Sequence, residues 1–134
     1  MERFSVSVII TGDDLDPGRV TELTGLAPSK AFKRGDTFGK HRVTGRGIRK
    51  YGSWRYMEDS SDPSEFSEVI RRLLRLTPPD LVTLLGGVAT EVIVFVGMFG
   101  VRDQSTFEID ADVMKELGAR NWPICYDLYI EEPV

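Results

Sequence analysis

The longest unbroken apolar stretch, Val92 to Val101, is ten residues long and opens on Val92-Ile93-Val94-Phe95-Val96. Four of those five are β-branched, which suits a pleated strand and handicaps a helix. Apolar side chains on both faces mark it as a central strand. It has about half of the 20 or so residues a membrane helix requires, so it is not read as a span. Other segments must flank it. Phe4, Val6, Val8 and Ile10 alternate with Ser5, Ser7 and Thr11, the period-2 pattern of a strand with one buried face. Trp54 and Tyr56 alternate within residues 51–57, and Ile124, Tyr126, Leu128 and Ile130 within a closing strand. A weaker strand is expected around Lys30–Arg34.

Helices are expected between these strands. Asp16 caps and Pro17 opens a short helix that buries Val20 and Leu23, with Leu15 stapled to Val20, Gly25 closing it and Pro28 preventing its resumption. Asp62, Pro63 and Glu65 open the clearest helix, in which Phe66, Val69, Ile70, Leu73 and Leu74 hold the spacing of one apolar face while Glu68 faces Arg72. Thr77-Pro78-Pro79 breaks it, a shorter piece carries Leu81, Leu84 and Leu85, and Gly86-Gly87 ends that. Asp110 is read as the cap of a last short helix.

These elements predict an α+β fold, a largely antiparallel (mixed) sheet with helices packed on one face. Leu15, Asp16, Val20, Glu22 and Leu23 are echoed by Ile109, Asp110, Met114, Glu116 and Leu117. Any stapled and capped helix looks like this, and so would a degenerate duplicated β-α-β unit. At 134 residues, with 41% hydrophobic residues, the chain can build one core, so 1–134 is read as a single globular domain. Met1–Thr11 lacks the basic start and apolar centre of a signal peptide, which points to the cytoplasm. The single cysteine, Cys125, allows no internal disulfide, no Cys/His spacing suggests zinc, and no cofactor is called for.

Charge is less evenly spread than the total of −4 suggests. Lys30 to Arg55 hold nine cations against the single acid Asp36, a local charge of +8 that leaves −12 on the remainder. Gly35, Gly39, Gly45, Gly47 and Gly52 disfavour a helix there, since each costs about 1 kcal/mol relative to alanine. A basic loop or open hairpin at about 35–50 is expected, and long loops in compact domains are usually functional or disordered. Its function would be to meet something negative. The residues assigned to binding are Lys40, His41, Arg42, Arg46, Arg49 and Lys50, with Trp54 as an aromatic anchor. An acidic protein partner fits best. Nucleic acid or a nucleotide held by residues 30–55 is the alternative, disfavoured by the acidic remainder and a pI near 5.0.

Competing sites are weaker. Gly45-Arg46-Gly47 carries only the first Gly-x-Gly of a dinucleotide fingerprint, without the strand and helix that would aim amides at phosphate. His41 could serve as an acid or base, yet it sits among cations that oppose its charged form. A metal-assisted hydrolase using Asp13 and Asp14, with His41, is a second alternative, although two acids do not complete a calcium shell. Cys125 lies in an alternating strand opposite Ile124 and Tyr126 and is read as a packing residue.

Gly12-Asp13-Asp14-Leu15-Asp16-Pro17, Val20-Thr21-Glu22-Leu23-Thr24-Gly25-Leu26-Ala27-Pro28, Lys33-Arg34-Gly35-Asp36, Gly52-Ser53-Trp54 and Tyr126-Asp127-Leu128-Tyr129 span almost the whole chain. As a set they resemble the bacterial family known only as domain of unknown function 4279. Thr24 stands where that family often has a second leucine, and the Gly/Arg insertion at 39–50 is longer than in the family. The resemblance implies a small stand-alone bacterial domain and supplies no catalytic residues. Some similar domains look like accessory or immunity proteins encoded beside toxins. The resulting expectation is a non-catalytic binding domain, with no membrane contact and with a homodimer open to it through an unpaired edge strand.

Overall fold

A computed structural model describes residues 3–41, 45–86, 90–101 and 106–130, and of Lys40, His41, Gly45 and Arg46 the backbone only. The elements are β1 (Arg3–Gly12), α1 (Pro17–Thr24), β2 (Lys30–Phe32), β3 (Thr37–His41), β4 (Gly45–Ile48), β5 (Gly52–Ser60), α2 (Phe66–Leu76), α3 (Leu81–Leu84), β6 (Glu91–Val101), α4 (Ala111–Arg120) and β7 (Ile124–Ile130). Five strands form one sheet in the order β2-β5-β1-β6-β7, while β3 and β4 form a separate two-stranded ribbon. Within the large sheet only the β6–β7 pair is parallel. The fold is α+β with a mostly antiparallel, mixed sheet.

Register explains where the core lies. Ile10 sits beside Trp54 of β5 and Val92 of β6, so Phe4, Val6, Val8 and Ile10 share one face with Trp54, Val92, Val94, Val96 and Met98. All of these are buried, in one cluster with Val20 of α1, Phe66, Val69, Ile70, Leu73 and Leu74 of α2, Leu81 of α3, and Val113 and Leu117 of α4. Every helix therefore packs on the same face. At one end, the rings of Phe4, Phe66 and Phe107 meet edge to face with centroids 5.3 to 5.9 Å apart, the geometry favoured by the aromatic quadrupole.

The opposite face carries no helix among the described residues, in keeping with helices packed on one face, and β6 lies inside the sheet between β1 and β7 as its two apolar faces indicated. Ile93 and Phe95 are half-buried there. Arg55 lies across the strands, donating from Nε to Ser7 Oγ at 3.0 Å with its guanidinium 5.5 Å from the Phe95 ring centroid. Arg3 sits 4.3 Å from the Phe99 centroid, and Phe99 stacks on Tyr129 at 4.7 Å. Arginine stems shield apolar surface while their heads stay wet.

Helix ends follow the sequence in part. Asp16 accepts from the Gly18 amide at 3.1 Å, and α1 closes on Gly25 in the left-handed region at φ 71°. Asp62 caps as expected but through a 3-10 turn, Pro63–Glu65, so α2 itself starts only at Phe66. Glu68 does not pair with Arg72. Arg71 and Arg75 take Glu68, at 3.0 and 3.2 Å, and Arg72 crosses to Glu58 on β5 at 2.8 Å. Asp110 makes no side-chain cap; its carboxylate is held by Arg71, while its amide donates to Ser67 Oγ at 2.8 Å. Gly86 ends the α3 segment at φ 88°, and Gly87 lies outside the described residues.

The echoed units do share a plan. β1-α1-β2 and β6-α4-β7 each return a strand parallel to the one that entered, but β5 separates β1 from β2 whereas β7 lies directly beside β6.

Candidate functional site

The basic segment forms a hairpin with its own internal packing. Lys33 and Asp36 close a turn, the Lys33 amide donating to Asp36 Oδ2 at 2.8 Å and the Asp36 amide to Lys33 O at 3.1 Å. From there β3 runs out and β4 returns, and the base is tied by Gly35 N to Arg49 O at 2.8 Å and Arg49 N to Asp36 O at 2.7 Å. Phe38 pairs with Gly47, and its ring lies so close that a Cβ at Gly47 would fall 2.5 Å from it. Glycine at that place is what lets the ring cover the opposite strand. Arg49 is sandwiched between Phe38 and Phe32, at 4.1 and 3.9 Å from their centroids, and Phe32 meets Tyr51 edge to face at 5.5 Å.

The nine cations of this segment fall into distinct groups. Lys33 reaches Asp16 at 3.4 Å and Arg34 reaches Asp14 at 2.5 Å, which ties the turn to the entry of α1 through two exposed pairs, each worth about 0–1 kcal/mol. Arg55 is spread over β1. Arg49 is exposed on one side only, being held by its two rings. Lys30 and Lys50 are exposed. Lys40 and His41 lie on β3 and Arg46 on β4, with side chains that are not described, and Arg42 lies outside the described residues. Trp54 is corrected: at 0% exposure, with its indole Nε1 donating to Thr21 Oγ1 at 3.2 Å, it fills the core under α1 and offers a partner nothing.

Asp13 and Asp14 are drawn apart. Asp13 lines a hollow of about 340 Å³ with Thr11, Gly12, Tyr51 and Glu91, whereas Asp14 is engaged by Arg34. Among the described residues no three His, Cys, Asp or Glu side chains group as metal ligands do. Cys125 is exposed on β7 and free, not packed as its alternation suggested, because the sheet ends at that strand.

A charged cleft that the sequence did not reveal lies between α2 and α4. It has a volume of about 350 Å³ and includes Arg71, Arg75, Arg120, Asp112 and Glu116 in its lining. Its cations are already engaged. Arg71 bonds Asp112 at 2.9 Å, Asp110 at 2.5 Å and Glu68 at 3.0 Å, which raises its pKa; the same guanidinium holds the Asp112 and Glu68 carboxyls below their usual range, with Arg75 adding to the effect on Glu68. Arg120, 6% exposed, donates to Leu74 O at 2.7 Å and Thr77 O at 2.8 Å and pairs with Glu116 at 2.9 Å. It thus satisfies the last carbonyls of α2 from a neighbouring helix. No spacing within α2 could have signalled a cap supplied by a residue on α4.

The helix-covered mixed sheet, the Asp16-Pro17 helix entry and the Gly52-Ser53-Trp54 strand are thus in place together. The model for the family described as Domain of unknown function (DUF4279) matches residues 2–131. The chain belongs to that family. The DUF4279 match runs from β1 through β7, so both the sheet and the basic hairpin lie inside it. No curated protein and no solved structure matches the chain. Among the described residues no helix is long and apolar enough to cross a membrane.

Proposed function

We propose that this DUF4279 chain is a non-catalytic binding domain that engages an acidic protein partner through its basic hairpin. One observation carries the reading: residues 37–50 hold five Lys or Arg residues and no acid, and the two strands described within them, β3 and β4, pair as a ribbon outside the main sheet. A ribbon that shares no strand with the main sheet can present charge without disturbing the core. The rings around Arg49 hold its base, and the pairs of Lys33 and Arg34 neutralise only the near end. Lys40, His41, Arg42, Arg46 and Lys50 form the contact set, while Arg49 is held between Phe32 and Phe38 at the base of the ribbon. An accessory or immunity-type role, in which a small domain occupies a larger protein, suits such a surface.

An acidic protein is favoured over nucleic acid because the rest of the molecule carries −12 and would repel a long polyphosphate more than a compact acidic patch. The hydrolase reading loses ground because Asp14 is engaged by Arg34. The test compares the native chain with a Lys40→Glu/Arg46→Glu/Lys50→Glu variant for binding to a poly-glutamate peptide and to a single-stranded oligonucleotide, by fluorescence anisotropy at two salt concentrations. The expected result is peptide binding that weakens at least about tenfold in the variant, with the oligonucleotide bound more weakly than the peptide. Equal peptide binding by both proteins would refute the proposal, and tighter oligonucleotide binding would replace it with the nucleic-acid alternative. Capture from lysate with and without nuclease, repeated with the variant, then identifies the partner.

A further inference from the structure

The two edges of the main sheet are built differently. β2 has three residues, Lys30 at its start and Phe32 beneath Arg49 at its end, the short and charged edge by which proteins discourage pairing. β7 has seven residues, Asp127 as its sole charge, no proline, and β6 as its only neighbour among the described residues. Val94 N donates to Pro123 O at 3.0 Å, which fixes the ladder phase: Cys125, Asp127 and Tyr129 aim their amides and carbonyls at β6, and Tyr126, Leu128 and Ile130 aim theirs outward. The side chains along this edge are apolar and uncovered, with Tyr126 at 42%, Leu128 at 57%, Tyr129 at 50% and Ile130 at 71% exposure.

We propose that β7 pairs antiparallel with β7 of a second copy of this chain, about a twofold axis at Leu128, joining the two sheets into one. A twofold normal to the sheet keeps the two helix layers on the same side and sets residues of equal parity opposite each other. Only a few registers are then possible. An axis at Asp127 would set two carboxylates directly opposite each other, a destabilising like-charge pair. An axis at Tyr126 would set Ile130 against Trp122, which is buried beyond the end of β7. An axis at Leu128 sets Leu128 against itself, Tyr126 against Ile130 and Asp127 against Tyr129. Charge does not clash, the most exposed apolar side chains are covered, and about six main-chain hydrogen bonds form. A contact confined to one strand falls below the ~1,200 Å² of standard interfaces, so the dimer is expected to be concentration-dependent.

Sedimentation velocity from about 5 to about 500 µM, with amide hydrogen exchange at the two ends of that range, tests this. The expected result is a monomer–dimer equilibrium in which the amides of Tyr126, Leu128 and Ile130 exchange at least about tenfold more slowly at the high concentration, while those of Cys125, Asp127 and Tyr129 are protected throughout. Leu128→Pro removes only an outward donor and should give a folded monomer; Leu128→Lys, which opposes two ammonium groups across the axis, does the same without altering the backbone. A native chain that stays monomeric over the range, protection of other amides instead, or a dimer unaffected by Leu128→Lys would each overturn the proposal.

Discussion

Arg49 and Trp54 exchanged the roles that composition suggests for them. An arginine in a basic run reads as a free ligand, yet its guanidinium is stacked between Phe32 and Phe38, an arrangement worth about 0.5–2 kcal/mol. A tryptophan beside that run reads as an anchor, yet it is fully buried with its N–H satisfied by Thr21. Alternation in β5 did place Trp54 and Tyr56 on one face, and the choice between core and interface followed from α1 covering that face. Trp54→Phe removes a buried hydrogen bond and leaves a cavity, so a loss of about 2–3 kcal/mol is expected in urea denaturation. Binding through the hairpin should be unchanged under native conditions. Cys125 shows the converse: its strand was legible, but its exposure depended on that strand ending the sheet.

At the scale of elements, α2 and α4 are joined by charge as well as by Val69, Leu73, Val113 and Leu117. The pKa values of Asp112 and Glu68 are lowered chiefly by Arg71, so between their folded and unfolded values the unfolded chain binds more protons. The stability they confer is complete above about pH 4.5 and is lost as pH falls through the folded-state values. Arg71→Met should therefore flatten the acid limb of a melting-temperature profile below about pH 4.5. An unchanged acid limb would show the network to be incidental. Arg120→Met strips hydrogen bonds from the carbonyls of Leu74 and Thr77 at a largely buried helix end. Its expected cost is about 2–3 kcal/mol by thermal denaturation. The α2 helix was legible because Phe66, Val69, Ile70, Leu73 and Leu74 mark one apolar face. Its partners were not, since Glu68 has Arg71, Arg72 and Arg75 all within reach, and only the position of Glu58 on β5 drew Arg72 away.

Across the whole molecule, positive charge is gathered on one ribbon and the adjoining turn, against an acidic body. Charge reversal at Lys40, Arg46 and Lys50 should leave the melting temperature nearly unchanged, because the ribbon shares no strand with the main sheet. Chelation by EDTA should likewise not lower it, since Asp14 is held by Arg34 rather than waiting for a metal; a drop would revive the hydrolase reading. The period-2 and helical patterns sufficed for the strands of the main sheet, the helices and the one-sided core, because each depends on neighbours within a few residues along the chain; the basic segment was legible only as a loop or open hairpin, and the β3–β4 pairing was not. Strand order, the parallel β6–β7 pair, the cap that Arg120 lends to α2, the burial of Trp54 and the exposed edge at β7 arise where distant segments meet. Local sequence carries no record of which segment will stand beside it, so those features emerged only once the chain was packed.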